Sequence, residues 1–189
     1  MCSLGVQRLK SAEVGRSVLD RVQAIWDSPV YQEHLARIDR AEQQRVFCRH
    51  GACHALDVAR ISWILNLERA CGFNRELIYA AALLHDIGRS AQYGTGQPHD
   101  EAGERIAADI LDGADERLRF FASERAAILA AVRGHRGASA SGSGHSGDDA
   151  QALASLIREA DNRSRPCYAC AARADCYWPD ERKNLSVDI

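Results

Sequence analysis

In every long segment of this chain the apolar residues recur at intervals of three and four, not two. That spacing lines one side of a helix and cannot line one face of a strand, so the fold is predicted to be all-α. Gly and Pro are sparse over the first two-thirds, and the helix formers Ala, Leu, Glu and Arg dominate. The pattern predicts helices over residues 11–26, 29–46, 48–70, 74–86, 98–111, 123–135 and 150–163. Ser28-Pro29 and Asn74 supply starts, and Gly72 and Asp112-Gly113 supply stops. Residues 87–97 read as a Gly-rich loop, and 137–149, GASASGSGHSGDD, as a flexible low-complexity loop. The tail after Arg165 has no helical period. The organisation expected is N-terminal helices over residues 1–46, a helical core over 47–165 and a Cys-rich tail over 166–189.

With 189 residues, 46% hydrophobic and 26% charged, the chain can bury one core of ordinary size and is neither disordered nor fibrous. A net charge of -2 gives no support to a general nucleic-acid or anionic-membrane binder, since both need an excess of basic residues. The longest apolar run, 77–84, is too short to span a bilayer, and the first residues carry no secretory h-region. A cytoplasmic protein is expected, and seven cysteines in such a chain point to metal binding more than to disulfides.

The histidines sit on the apolar stripes. His54 shares a face with Val58, Ile61 and Leu65; His85 with Ile78 and Ala81, with Asp86 next to it. His99 shares one with Gly103, Ile106 and Ile110; His135 with Ile128 and Ala131; Asp161 with Leu153 and Ile157. Five helices therefore aim an imidazole or a carboxylate inward. Any one of these taken singly reads as a satisfied core residue. Four histidines and two aspartates together are costly to bury unless a cation gathers them, and imidazole with carboxylate suits iron, manganese, zinc or cobalt.

The segments HALDVAR from His54, LLHDIG around His85 and Asp86, HDEAG from His99, VRGH ending at His135 and EAD ending at Asp161 resemble the HD-domain superfamily of metal-dependent phosphohydrolases, in the family's order. The resemblance covers about residues 47–165. It implies a helical bundle in which His54, His85, Asp86 and Asp161 hold one divalent metal (Fe, Mn, Zn, Co or Mg). His99 and His135 would hold a second, with Asp86 bridging. Some relatives lack those two histidines, so one ion or two remains open. A bound metal lowers the pKa of its water toward neutrality and offsets charge on a phosphoryl oxygen.

Arg89 falls where many relatives place a Lys beside the substrate phosphate, so it is either a phosphate clamp or a solvated helix-end Arg. His50, one turn before His54, resembles a histidine found in some relatives. It would orient substrate, act as general acid, or make a structural hydrogen bond. Asp57 departs from a basic residue common in the family. His34 and His145 are assigned nothing.

Cys167, Cys170 and Cys176 form C-x2-C-x5-C. Three thiols want a fourth ligand. Cys48 lies six residues before His54, and Cys167 six after Asp161. On antiparallel helices both would project beyond one end of the site, so Cys48 is expected to complete a zinc site or an iron–sulfur cluster, or the thiols stay unligated. Trp178 and Pro179 would cover the centre. Cys53 and Cys71 read as small core residues, and Cys2 has no visible partner. The same cysteine positions resemble those of a bacterial subgroup of HD proteins.

Three functions follow as expectations. The first is a metal-dependent phosphohydrolase acting on a nucleotide or other small phosphate ester, with Asp86, Arg89 and His50 in the chemistry and neither nucleic acid nor membrane as partner. The second is a di-iron oxygenase on the same ligands. The third is a non-catalytic scaffold responsive to metal or redox state, against which the complete ligand set argues.

Overall fold

The computed structural model describes residues 19–134 and 147–187. Eight α-helices occur among them: α1 (Asp20–Asp27), α2 (Pro29–Ala41), α3 (Ala52–Glu68), α4 (Arg75–Leu84), α5 (Arg89–Thr95), α6 (His99–Asp112), α7 (Ala122–Gly134) and α8 (Gly147–Arg163). No strand is present among the described residues, and the fold is an all-α helical bundle. None of these helices is long and apolar enough to cross a membrane.

The core is built around α4. Its residues from Leu77 to Leu84 are all buried, which requires neighbours on every side of the helix. α3, α7 and α8 supply most of them: α3 packs on α4 and α8, and α7 on α4, α6 and α8. The predicted stripes face this centre, with Val58, Leu65, Ile128, Leu153 and Ile157 at 2% exposure or less. Ser28 Oγ accepts the Tyr31 N–H to start α2, with Pro29 in the first turn, and Asn74 Oδ1 accepts the Glu76 N–H at 2.8 Å to start α4. Arg21 ties α1 to the bundle through Glu76 at 2.7 Å and Glu124 at 2.6 Å.

Four local expectations are corrected. The segment expected as a Gly-rich loop, 87–97, contains α5. Its first turn closes through Arg89 N–H to Asp86 O and Ala91 N–H to Gly88 O, and it ends at Gly96, whose φ of +76° is left-handed. Packing on α2 and α6 outweighs the low helix propensity of Gly94. The second predicted helix stops at Ala41 rather than at residue 46, because the Glu42 carboxylate turns back to accept the His50 N–H at 2.7 Å. The third starts at Ala52 rather than at residue 48, so Cys48 and His50 precede the helix instead of lying on it. Cys53 and Cys71, expected in the core, are exposed. The expected loop at 137–149 lies mostly outside the described residues, as do His145 and Cys2.

Gly88 fixes how α5 and α6 meet. A Cβ there would lie 1.9 Å from the His99 carbonyl oxygen and 2.4 Å from the Gly103 nitrogen. Only glycine lets α6 approach closely enough to set His99 beside Asp86.

Candidate metal centre

Four helices and the turn that follows α4 converge on one point. His54 is in the first turn of α3, His85 caps the end of α4, and Asp86 follows it. His99 opens α6, and Asp161 lies in the last turn of α8. His85 is fully buried, His99 is 1% exposed and Asp86 5%. His54 Nε2 stands 3.3 Å from His85 Nε2 and 3.3 Å from Asp161 Oδ1. The Asp86 carboxylate divides its two oxygens. Oδ2 faces His85 Nε2 at 3.3 Å and His54 Nε2 at 3.6 Å, while Oδ1 faces Arg89 Nε at 2.9 Å and His99 Nε2 at 3.5 Å.

The other nitrogen of each imidazole is tied back. His85 Nδ1 donates to the Ala82 carbonyl at 2.7 Å. His99 Nδ1 donates to the Gln92 amide oxygen at 3.1 Å. His54 Nδ1 lies 3.3 Å from Ser164 Oγ, whose own proton goes to the Asp161 carbonyl at 2.8 Å, so the hydroxyl accepts from the ring. All three rings therefore keep the proton on Nδ1 and turn Nε2 toward the carboxylates. An imidazole oriented by a second hydrogen bond with its Nε2 turned inward is what a metal site requires.

The donor set fits a divalent cation. Ligands roughly 2.0–2.2 Å from one ion sit roughly 3–3.5 Å from each other, and His54, His85 and Asp161 have ligand atoms all within 4.8 Å. Burial alone would push the His54 imidazole down, but its contacts with Asp161 and Asp86 outweigh that and raise it to about 9. Burial likewise opposes ionisation of Asp161, and His54 holds it down to about 2. The carboxylates thus draw positive charge into the site.

Beside this cluster the 42–51 connection builds a second group. Glu42 is 2% exposed. Its carboxylate accepts the His50 backbone N–H, His50 Nδ1 at 2.5 Å and the Tyr93 hydroxyl at 2.5 Å. Burial opposes its ionisation, yet the bonds from His50 and Tyr93 hold it at about 2. Burial wins at His50, whose pKa is lowered despite the carboxylate. His50 therefore keeps its proton on Nδ1 and presents an unprotonated Nε2.

A cavity of about 620 Å³ opens over these groups, lined by His50, Arg89, His99 and Asp161. Arg45, Arg89, Arg158, Arg165, Arg182 and Lys183 also line it, so the cavity is strongly positive although the chain is not. Its far wall is the tail, through Cys167, Cys176, Tyr177, Trp178 and Pro179.

Of the residues singled out from sequence, His54, His85, Asp86, Arg89, His99 and Asp161 come together, with His50 at the edge. His135 lies outside the described residues, one position past the end of α7. Asp57 is exposed and pairs with Arg60. His34, assigned nothing, is half-buried and donates from Nδ1 to Ser90 Oγ at 2.7 Å, linking α2 to α5. Sequence reasoning missed Glu42, Gln92, Tyr93 and Ser164. Ser164 follows Asp161 at a helical spacing of three, a signal that was present. Gln92 and Tyr93 fell in the segment taken for a loop, and nothing local marks Glu42.

The HD domain family matches residues 51–166. A protein of Clostridium beijerinckii described only as uncharacterized is 37% identical over 169 residues, which cover 89% of this chain and 99% of that one. The bifunctional uridylyltransferase/uridylyl-removing enzyme of Streptomyces coelicolor is 33% identical over 118 residues, 59% of this chain but only 13% of that enzyme. Ribonuclease Y of a Sulfurovum species is 28% identical over 78 residues, 41% of this chain and 15% of that protein. No solved structure matches. Matched over more than half its length, across the segment that carries the clustered His and Asp side chains, the chain belongs to the HD domain family.

Proposed function

We propose that this HD protein is a metal-dependent phosphohydrolase acting on a nucleotide or another small, multiply charged phosphate ester. The observation that carries this reading is the six-cation cavity of about 620 Å³ set directly over the His/Asp cluster. That volume suits a ligand of nucleotide size, and so many cations at one concave site suit a polyanion. Two partial relatives named as a uridylyl-removing enzyme and a ribonuclease support it.

His54, His85, Asp86 and Asp161 would hold the metal, and His99 would join Asp86 Oδ1 toward a second ion. A metal held there supplies an acidified water and charge compensation for a phosphoryl oxygen. The protein's own groups do the rest. Arg89 keeps its charge and fixes Asp86 through Nε, and its guanidinium lines the cavity where phosphate oxygens can be clamped. His50, locked by Glu42, accepts a hydrogen bond at Nε2 from a substrate hydroxyl and so orients the ester. Glu42 and Gln92 are positioning residues. Arg45, Arg158, Arg165, Arg182 and Lys183 gather the remaining negative charge.

The test is metal content after anaerobic purification, followed by phosphate release from a panel of nucleotides and sugar phosphates with that metal restored. Release that requires His54, Asp86 and Arg89 is expected. Metal bound at these residues with no ester cleaved would overturn the reading, and substrate-dependent oxygen uptake in its place would replace phosphoryl chemistry with oxidation.

A further inference from the structure

Four cysteines remain outside the site described above. Cys48 precedes α3, and Cys167, Cys170 and Cys176 lie in the tail, yet all four line one small cavity of about 180 Å³. None is in a disulfide. Cys48 lies within electrostatic range of both Cys167 and Cys170. The thiols are gathered but not collapsed: among the described residues no three sulfurs come within 4.8 Å of one another, as the His54, His85 and Asp161 atoms do.

The space that the four thiols enclose bears on which centre they hold. A lone zinc ion with bonds near 2.3 Å pulls four sulfurs to about 3.8 Å from each other and leaves no space between them. A cubane cluster places its own iron and sulfide between the thiolates and holds them further apart. The 180 Å³ space equals the volume of about six waters. The wall also carries cations, as an anionic cluster needs. Arg173 and Lys183 line it, and the Lys183 side chain is only 9% exposed.

We infer that Cys48, Cys167, Cys170 and Cys176 ligate one [4Fe–4S] cluster that joins the tail to the start of α3. Each thiol loses its proton on binding iron, and two ferric ions, two ferrous ions and four sulfides make up the [4Fe–4S]2+ core, so assembly from both oxidation states of iron needs no further oxidant. Cys48, Cys167 and Cys176 line the large cavity as well as the small one, so the cluster forms part of the substrate wall. Its presence governs whether Trp178, Arg182 and Lys183 stand over the substrate. The cysteine centre differs from the HD metal site in its ligands and in needing sulfide, so the two assignments fail separately.

The experiment is anaerobic purification of the full chain, reconstitution with equal ferric and ferrous iron and sulfide, and quantitation of iron and acid-labile sulfide with visible absorption and EPR after reduction. About four sulfides per chain are expected. Cys167→Ser and Cys170→Ser should each lose them, whereas Cys53→Ser and Cys71→Ser, at exposed thiols, should not. Asp86→Ala should keep the sulfide while losing the HD metal. One zinc per chain on the four thiols without sulfide overturns the proposal. So does a wild-type protein that takes up no sulfide, or sulfide that survives in the Cys167→Ser and Cys170→Ser proteins. The wild-type stoichiometry decides the matter even where a Cys variant fails to fold.

Discussion

The helical body and the 166–187 tail face each other across the same cavity, and different forces hold them. The body supplies His54, His85, Asp86 and Asp161 from helices whose opposite ends are anchored in a continuous apolar core. The tail has no buried residue along its whole length. It is held by Trp178, which lies between the Arg165 and Arg182 guanidinium groups at 3.9 and 4.0 Å. It is also held by Asn184, which donates to the carbonyls of Asn162, Arg163 and Arg165 at the end of α8. Cation–π contacts contribute about 0.5–2 kcal/mol each. Ordering the backbone costs about 1–2 kcal/mol per residue. Those contacts offset only a few kcal/mol of that cost over some twenty residues. The comparison teaches that the wall carrying the His/Asp cluster is set by burial against the body's apolar core. The opposite wall, the tail, is held by polar and cation–π contacts.

Substitutions rank by which wall they strike. Asp86→Ala should have the largest effect on function, since it removes the carboxylate shared between the His54/His85 pair and His99. A loss of 10²–10³-fold or more in turnover, roughly the size seen when a single charge-stabilising group is deleted, should accompany loss of the HD metal by elemental analysis. Full metal retention would show that Asp161 and the imidazoles suffice.

Gly88→Ala should have the largest effect on stability. Its Cβ would meet backbone, not a side chain that can move, so α5 and α6 must separate. A loss of about 3 kcal/mol or more, and a melting temperature lower by roughly 6–12 °C, is expected by calorimetry.

Glu42→Gln tests the seam between the walls, because Glu42 braces the segment that carries both His50 and Cys48. The Glu42 carboxyl is held at about 2 in the fold against 4.5 for an ordinary glutamate. A depressed folded pKa gives stability that is fully present above pH 4.5 and is lost as pH falls toward 2. The variant should therefore be less stable at neutral pH by on the order of 2–3 kcal/mol and show a flatter acid limb in denaturant titrations. An unchanged acid limb would mean that the carboxylate is not held by His50 and Tyr93.

Trp178→Ala should have the smallest effect and sharpens the contrast most. It removes two stacked guanidinium contacts of about 1 kcal/mol each, so KM should rise several-fold and proteolysis of the tail should quicken. Because the tail opens apart from the body, the body's melting temperature should move by less than the roughly 4–8 °C that about 2 kcal/mol would take from a single cooperative unit. A drop as large as that of Gly88→Ala would break the comparison, since tail and body would then unfold as one unit.

Much of the site was legible in the sequence because helical period is local. The spacing of His54 from Val58, of His85 from Ile78 and of Asp161 from Ile157 says which way each side chain faces, whatever its neighbours are. Shorter elements were less legible. α5 carries a glycine inside it and one at each cap but no long stripe, and packing on α2 and α6 decides it. The end of α2 was missed because the bond that ends it joins Glu42 to His50, eight residues on.

By itself the sequence determined an all-α fold, the inward placement of its histidines and aspartates and the grouping of its tail cysteines, since each of these rests on residues a few positions apart. Only the tertiary structure decided which nitrogen of each imidazole faces the carboxylates, because the Ala82, Gln92 and Ser164 groups that fix this are set by turns and helix packing. It alone placed Glu42 and Tyr93 behind His50. It alone turned a nearly neutral chain into a cavity lined by six cations, because charge becomes a local field only when distant segments are folded onto one concave surface.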